Sequence, residues 1–224
     1  MSLYLGKIHY WLFNKILWFQ GIEESIISTL EKDAADIEAY LQEINNNYGE
    51  KLPKLPLEEI IDESNIHGWL QEKINISEGR VAAWSKVLLS RNEGKIKLDN
   101  IFISQGMKAG EEVNRSGKTL STAFEIYNSL NDYILDGMPC DRVDEIIDSN
   151  DLRVHWRKRI CVHREIWERS GVDVKVFYEL RALWMKAFIT EVNSNFHFTV
   201  LEDGTMLIEN SMSSDNMQVY ALDL

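Results

Sequence analysis

Apolar residues recur at spacings of three and four along most of this chain, the pattern of helices that bury one face. Residues 3–19 read as a first helix, apolar nearly all round and therefore suited to a buried position. Ile22, Ile26, Leu30, Ile37, Leu41, Ile44 and Tyr48 mark a long amphipathic helix that ends near Gly49. The segment KLPKLP (51–56) stops that helix, and Pro56 opens a short helical piece over 57–62. Ser64 caps a helix running to about Arg91, with Ser77-Glu78-Gly79 as a candidate break. Helices are then predicted over 97–115, 119–136, 141–148, 151–169 and 173–194. Ser116-Gly117, Gly137-Met138-Pro139 and Ser170-Gly171 supply the stops.

The period changes near the end. FHFTVLEDGTMLIEN (196–210) has two short runs flanking Asp203-Gly204, a hairpin signal, and 211–216 reads as loop. The prediction is a mainly α chain: an up-and-down bundle of six or more helices with a C-terminal β-hairpin, one domain over 1–224 with 196–210 as its appendage. A lone hairpin is marginal in water, so it must pack on the helices or pair with another chain.

Composition narrows the class. With 27% charged, 10% aromatic and 45% hydrophobic residues the chain can build a core and is not a disorder composition. Cys140 and Cys161 are the only cysteines and form no CxxC, which fits a reducing, cytoplasmic setting and disfavours a zinc site built on thiolates. A formal net charge of -12 disfavours nucleic acid and anionic membranes as partners. Lys7, His9, Asn14 and Lys15 interrupt the apolar N-terminal stretch, so no membrane span is expected there. The charge is uneven: acids dominate residues 21–72, whereas cations dominate 153–190.

Familiar catalytic signatures are absent. The chain has no GxGxxG, P-loop, HExxH, GxSxG or EF-hand loop. The residues three before the histidines are Gly6, Ser64, Leu152, Ile160 and Ser194, so the Glu-x-x-His pair of di-iron bundles is missing too.

The chemistry must therefore be sought in polar residues on apolar faces. Placed at 100° per residue, His163 falls in the stripe Leu152, Trp156, Ile160, Ile166 and Trp167 of the predicted helix 151–169, with Arg159 at its edge. Arg181 sits within the stripe of the last helix, among Phe177, Tyr178, Trp184 and Phe188. His67, Gln71 and Glu78 share a side of helix 64–91. His9 lies among Leu5, Leu12 and Phe13, and Glu23 beside Ile26 and Leu30. Burying such groups alone is costly, so they must pair or bind something.

Three functions follow from this set. His9, His67 and His163 with Glu23 and Glu78 offer imidazole and carboxylate ligands for Fe, Mn or Zn, with Gln71 behind them, as in a metal-dependent enzyme. Arg159 and Arg181 offer a clamp for a small anionic ligand, with His163 as general acid or base and Trp156, Trp184 and Tyr178 as the wall. In the third, the polar groups are satisfied ion pairs, Arg181 with Glu23 or Glu78, and the chain is an interaction protein that homodimerises through its first helix or its hairpin.

Overall fold

The computed structural model describes residues 5–30 and 36–211. Helices α1 (Lys7–Leu30), α2 (Ile37–Tyr48), α3 (Leu57–Ile60), α4 (Ile66–Leu89), α5 (Gly94–Arg115) and α6 (Ala123–Asn131) come first. Strands β1 (Asp144–Ser149) and β2 (Arg153–Lys158) follow. The chain then forms α7 (Arg164–Arg169), α8 (Val174–Val192), β3 (Phe196–Val200) and β4 (Met206–Asn210). The fold is mainly α with a C-terminal antiparallel hairpin, as the periodicity predicts. No helix among the described residues is long and apolar enough to cross a membrane.

The residues group into two compact units. The first comprises Met1–Ile101, Tyr133–Asp141 and Val162–Phe177. The second comprises Phe102–Asp132, Arg142–Cys161 and Tyr178–Leu224.

In the first unit α4 is the central element, packed by α1, α2 and α7. The boundaries of the first two helices differ from those predicted. Gly21 does not end α1, because Ile22, Glu23, Ile26 and Leu30 continue its buried face. That continued burial outweighs the roughly 0.5–1 kcal/mol cost of a helical glycine. The predicted helix 22–48 is thus divided between α1 and α2; residues 3 and 4 of the predicted first helix and 31–35 of the second lie outside the described residues. Helix α4 runs unbroken through Ser77-Glu78-Gly79. Gly79 is there because the Tyr48 ring lies against it, in the space a Cβ would need.

The second unit corrects two predicted helices. Residues 144–149 and 153–158, read as parts of helices 141–148 and 151–169, are strands. They extend the predicted hairpin into a four-stranded antiparallel sheet of order β1-β2-β4-β3. The physical reason is visible in β2. Val154 and Trp156 are buried while Arg157 is exposed and Arg153 and His155 are half-buried, a period of two. Leu152 and Ile160, which completed a helical stripe on paper, are 52% and 48% exposed. The buried face joins Val154 and Trp156 to Ile208 and Met206 across the ladder, and Phe198 pairs with Ile208 from the other side. Helix α6 covers this sheet, with Tyr127 edge-on to Trp156. A capping box of Thr122 and Glu125 starts α6. The predicted loop over 211–216 lies outside the described residues apart from Ser211.

Candidate functional site

Three polar assemblies lie in the first unit. The deepest joins Glu23 of α1 to Arg80 of α4, both almost wholly buried. The Arg80 Nη2 donates to Glu23 Oε1 at 2.6 Å, and its Nε donates to both carboxylate oxygens at 3.2 and 3.0 Å. Its Nη1 donates to Asn45 Oδ1 at 2.6 Å and to the Gly49 carbonyl at 2.5 Å. The Trp84 indole donates to Glu23 Oε1 at 3.1 Å. One guanidinium therefore ties α1, the end of α2 and α4 together, with its charge compensated and each of its three nitrogens donating.

The second assembly centres on His163, which is wholly buried at the start of α7. Its Nδ1 is 2.7 Å from Glu78 Oε1, and its Nε2 is 2.8 Å from Asp136 Oδ1. The Trp167 indole donates to the same Glu78 oxygen at 3.0 Å, and the Phe177 ring lies 4.6 Å from both the His163 and Trp167 rings. Both ring nitrogens thus lie within hydrogen-bonding distance of a carboxylate oxygen. With both ring nitrogens engaged and no exposed face, His163 anchors α7 to α4.

The third is the pair His9–His67, with Nε2 atoms 3.3 Å apart. The Gly6 backbone N–H donates to His9 Nδ1 at 2.9 Å, so that nitrogen is an acceptor and the proton of neutral His9 is on Nε2. His9 donates to His67, and neither facing nitrogen pair is free for a metal in this tautomer. Burial, and then the neighbouring His67, push the His9 pKa below its ordinary value.

The five candidate metal ligands are thus distributed over three pairings: Glu23 with Arg80, Glu78 with His163, and His9 with His67. Among the described residues, no group of three or more His, Cys, Asp or Glu is placed to hold a metal ion. The ion-pair partner offered for Arg181 is corrected: Glu23 takes Arg80, and Glu78 takes His163. Gln71 hydrogen-bonds Asn75 along α4. In the second unit, Arg159 is exposed past the end of β2 and Arg181 is buried on α8. Trp156 packs in the sheet with Phe198, the Trp184 indole donates to Gln105, and the Tyr178 hydroxyl donates to Cys161 Sγ.

A cleft of about 350 Å³ opens on the first unit between α2, α4 and the end of α7. Its α2 bank is Tyr40, Glu43, Ile44, Asn47 and Tyr48, one helical stripe at spacings of three and four. Its α4 bank is Ala83, Lys86, Val87 and Ser90, a stripe of the same kind, and Arg169 and Ser170 complete it. The polar core builds these walls. The Arg80 hub fixes the end of α2, and Glu78 with His163 and Trp167 fixes α7. The Tyr48 hydroxyl lies 2.7 Å from Ser170 Oγ, which donates to the Ile166 carbonyl, so Tyr48 is the donor to Ser170. The Arg169 guanidinium lies 5.7 Å from the centre of the Tyr48 ring. Neither Lys86 nor Arg169 has a carboxylate within ion-pairing distance among the described residues.

Sequence reasoning missed Arg80, Asp136 and the cleft. Arg80 was findable: Ser77, Arg80, Val81, Trp84 and Leu88 form one stripe of α4, and all are buried. Asp136 follows α6 in a loop, where no periodicity marks it. Comparison with known protein families, with curated proteins and with solved structures finds no match to this chain, so the reading of the site rests on its own residues.

Proposed function

We propose that this protein binds a small anionic molecule in the cleft between α2, α4 and α7. The observation that carries the reading is the pair Lys86 and Arg169, two cations from different helices lining one cleft with no carboxylate partner among the described residues. The cleft's volume of about 350 Å³ falls in the range of small-molecule sites. Tyr40 and Tyr48 supply aromatic surface, and Arg169 offers the planar fork suited to a carboxylate or phosphate. His163 has a positioning role in this reading, since it holds the short helix that presents Arg169. The reading moves the anion clamp expected of Arg159 and Arg181 to Lys86 and Arg169.

Isothermal titration with inorganic phosphate and with glutarate tests it. Binding is expected in the native chain, and Lys86→Met and Arg169→Met are each expected to weaken it about ten-fold, the scale of one charge-assisted hydrogen bond. Absence of binding by both anions, or equal binding by both variants, would overturn the reading.

A further inference from the structure

The cleft is bipolar. Glu43 lies on its α2 bank and Lys86 on its α4 bank, and both are exposed. Opposite charges lining one groove would normally close on each other. Here no ion pair within 4.0 Å joins them, and neither has another hydrogen-bonded partner among the described residues. Asn47, one turn beyond Glu43 on the same bank, is likewise without a protein partner among the described residues. The cleft therefore presents two cationic donors, Lys86 and Arg169, and one anionic acceptor, Glu43, with no ion pair among the described residues joining the acceptor to either cation.

From this arrangement we infer that the ligand is a zwitterion, with one or two anionic groups for Lys86 and Arg169 and an ammonium group for Glu43 and the Asn47 carbonyl oxygen. The inference rests on the anion-binding reading above and narrows its ligand class. A purely anionic ligand would leave Glu43 facing like charge, which costs affinity, whereas an ammonium turns the same carboxylate into a partner. Acidic α-amino acids and phosphorylated amino alcohols carry these groups at small size.

Matched pairs of probes separate the inference from the reading beneath it. Titrations compare L-glutamate with glutarate, and phosphoethanolamine with ethyl phosphate, so that only the amine differs within each pair. In at least one pair the amine-bearing probe is expected to bind about ten-fold tighter. Glu43→Gln is expected to remove that advantage while improving the amine-free probe's affinity, since it removes the like charge facing it. Glu43 is exposed, so the variant folds as the native chain does, and a circular-dichroism melt checks this. Equal affinities within both pairs, or an amine preference that survives in Glu43→Gln, would overturn the zwitterion inference and leave the anion site standing. No binding by any of the four would overturn both.

Discussion

Glu23 and Arg80 are both shut from water, so the energetics of the pair turn on what happens when one partner is lost. Glu23→Leu leaves a guanidinium buried with only neutral acceptors, and the expected loss of stability is about 3–5 kcal/mol. Adding Arg80→Met removes the stranded charge, so chemical denaturation should show the double variant more stable than the sum of the two single losses. Strict additivity would show that the pair is uncoupled. His9 makes a second prediction. Its pKa is lowered in the folded protein by burial and by His67, relative to an ordinary value of 6.5. A proton therefore binds the unfolded chain more readily. The contribution of His9 is full above about pH 6.5 and is lost as the pH falls through its lower folded value. His9→Gln should flatten the stability profile between about pH 7 and 5; a profile as steep as that of the native chain would place the titration elsewhere. At this scale the sequence was partly legible. Inward polar groups at Glu23, Glu78 and His9 follow from helical phase and are buried, and so is His163, although the helical stripe that placed it inward does not form; His67 and Arg159, placed inward by the same phase argument, are exposed. Their partners did not follow, because Arg80 lies 57 positions from Glu23 and phase within one helix says nothing about what faces it.

Among the elements, α7 joins the buried cluster to the cleft within six residues. It ends in a Schellman motif: the Gly171 N–H donates to the Glu168 carbonyl at 2.9 Å and the Val172 N–H to that of Trp167 at 3.1 Å. Gly171 has φ +80°, and a Cβ there would sit 3.0 Å from Lys86 Nζ. Gly171→Ala should cost about 1–2 kcal/mol for the left-handed backbone. Because the lysine end must also move, the same change should weaken phosphate binding, and titration beside a denaturant melt reads both. Weakened stability with unchanged binding would detach Lys86 from the site. The Ser170-Gly171 stop was readable in the sequence, since left-handed termination favours glycine. The strand β2 was not, because Leu152, Trp156 and Ile160 satisfy a spacing of four as well as Val154 and Trp156 satisfy a spacing of two. Pairing with β4 decides between them, and it is a contact about 50 residues away in sequence. The cleft was hidden for a related reason: its charged members lie on solvent-exposed helix positions, where polar residues are the rule.

At the scale of the whole molecule, an anion bound at Lys86 and Arg169 must enter the field of a chain with formal net charge -12. Two cations at about 4 Å in water attract a unit anion by about 2 kcal/mol. Twelve net negative charges at distances on the order of 20 Å oppose it by about 2–3 kcal/mol before screening. The two effects therefore nearly cancel in the absence of salt, and range decides between them. The Debye length is about 30 Å at 0.01 M and about 8 Å at 0.15 M, so added salt removes the distant repulsion first and spares most of the close attraction. At about 1 M, where the length is about 3 Å, the close attraction is screened as well. Affinity for a monoanion such as ethyl phosphate near pH 5 should therefore rise from about 0.01 to 0.15 M salt and fall again toward 1 M. Titrations in sodium chloride at a fixed pH would show that maximum. A steady fall from the lowest salt upward would mean that the local cations outweigh the net charge at every range, and the same series in Lys86→Met should then lose most of its slope.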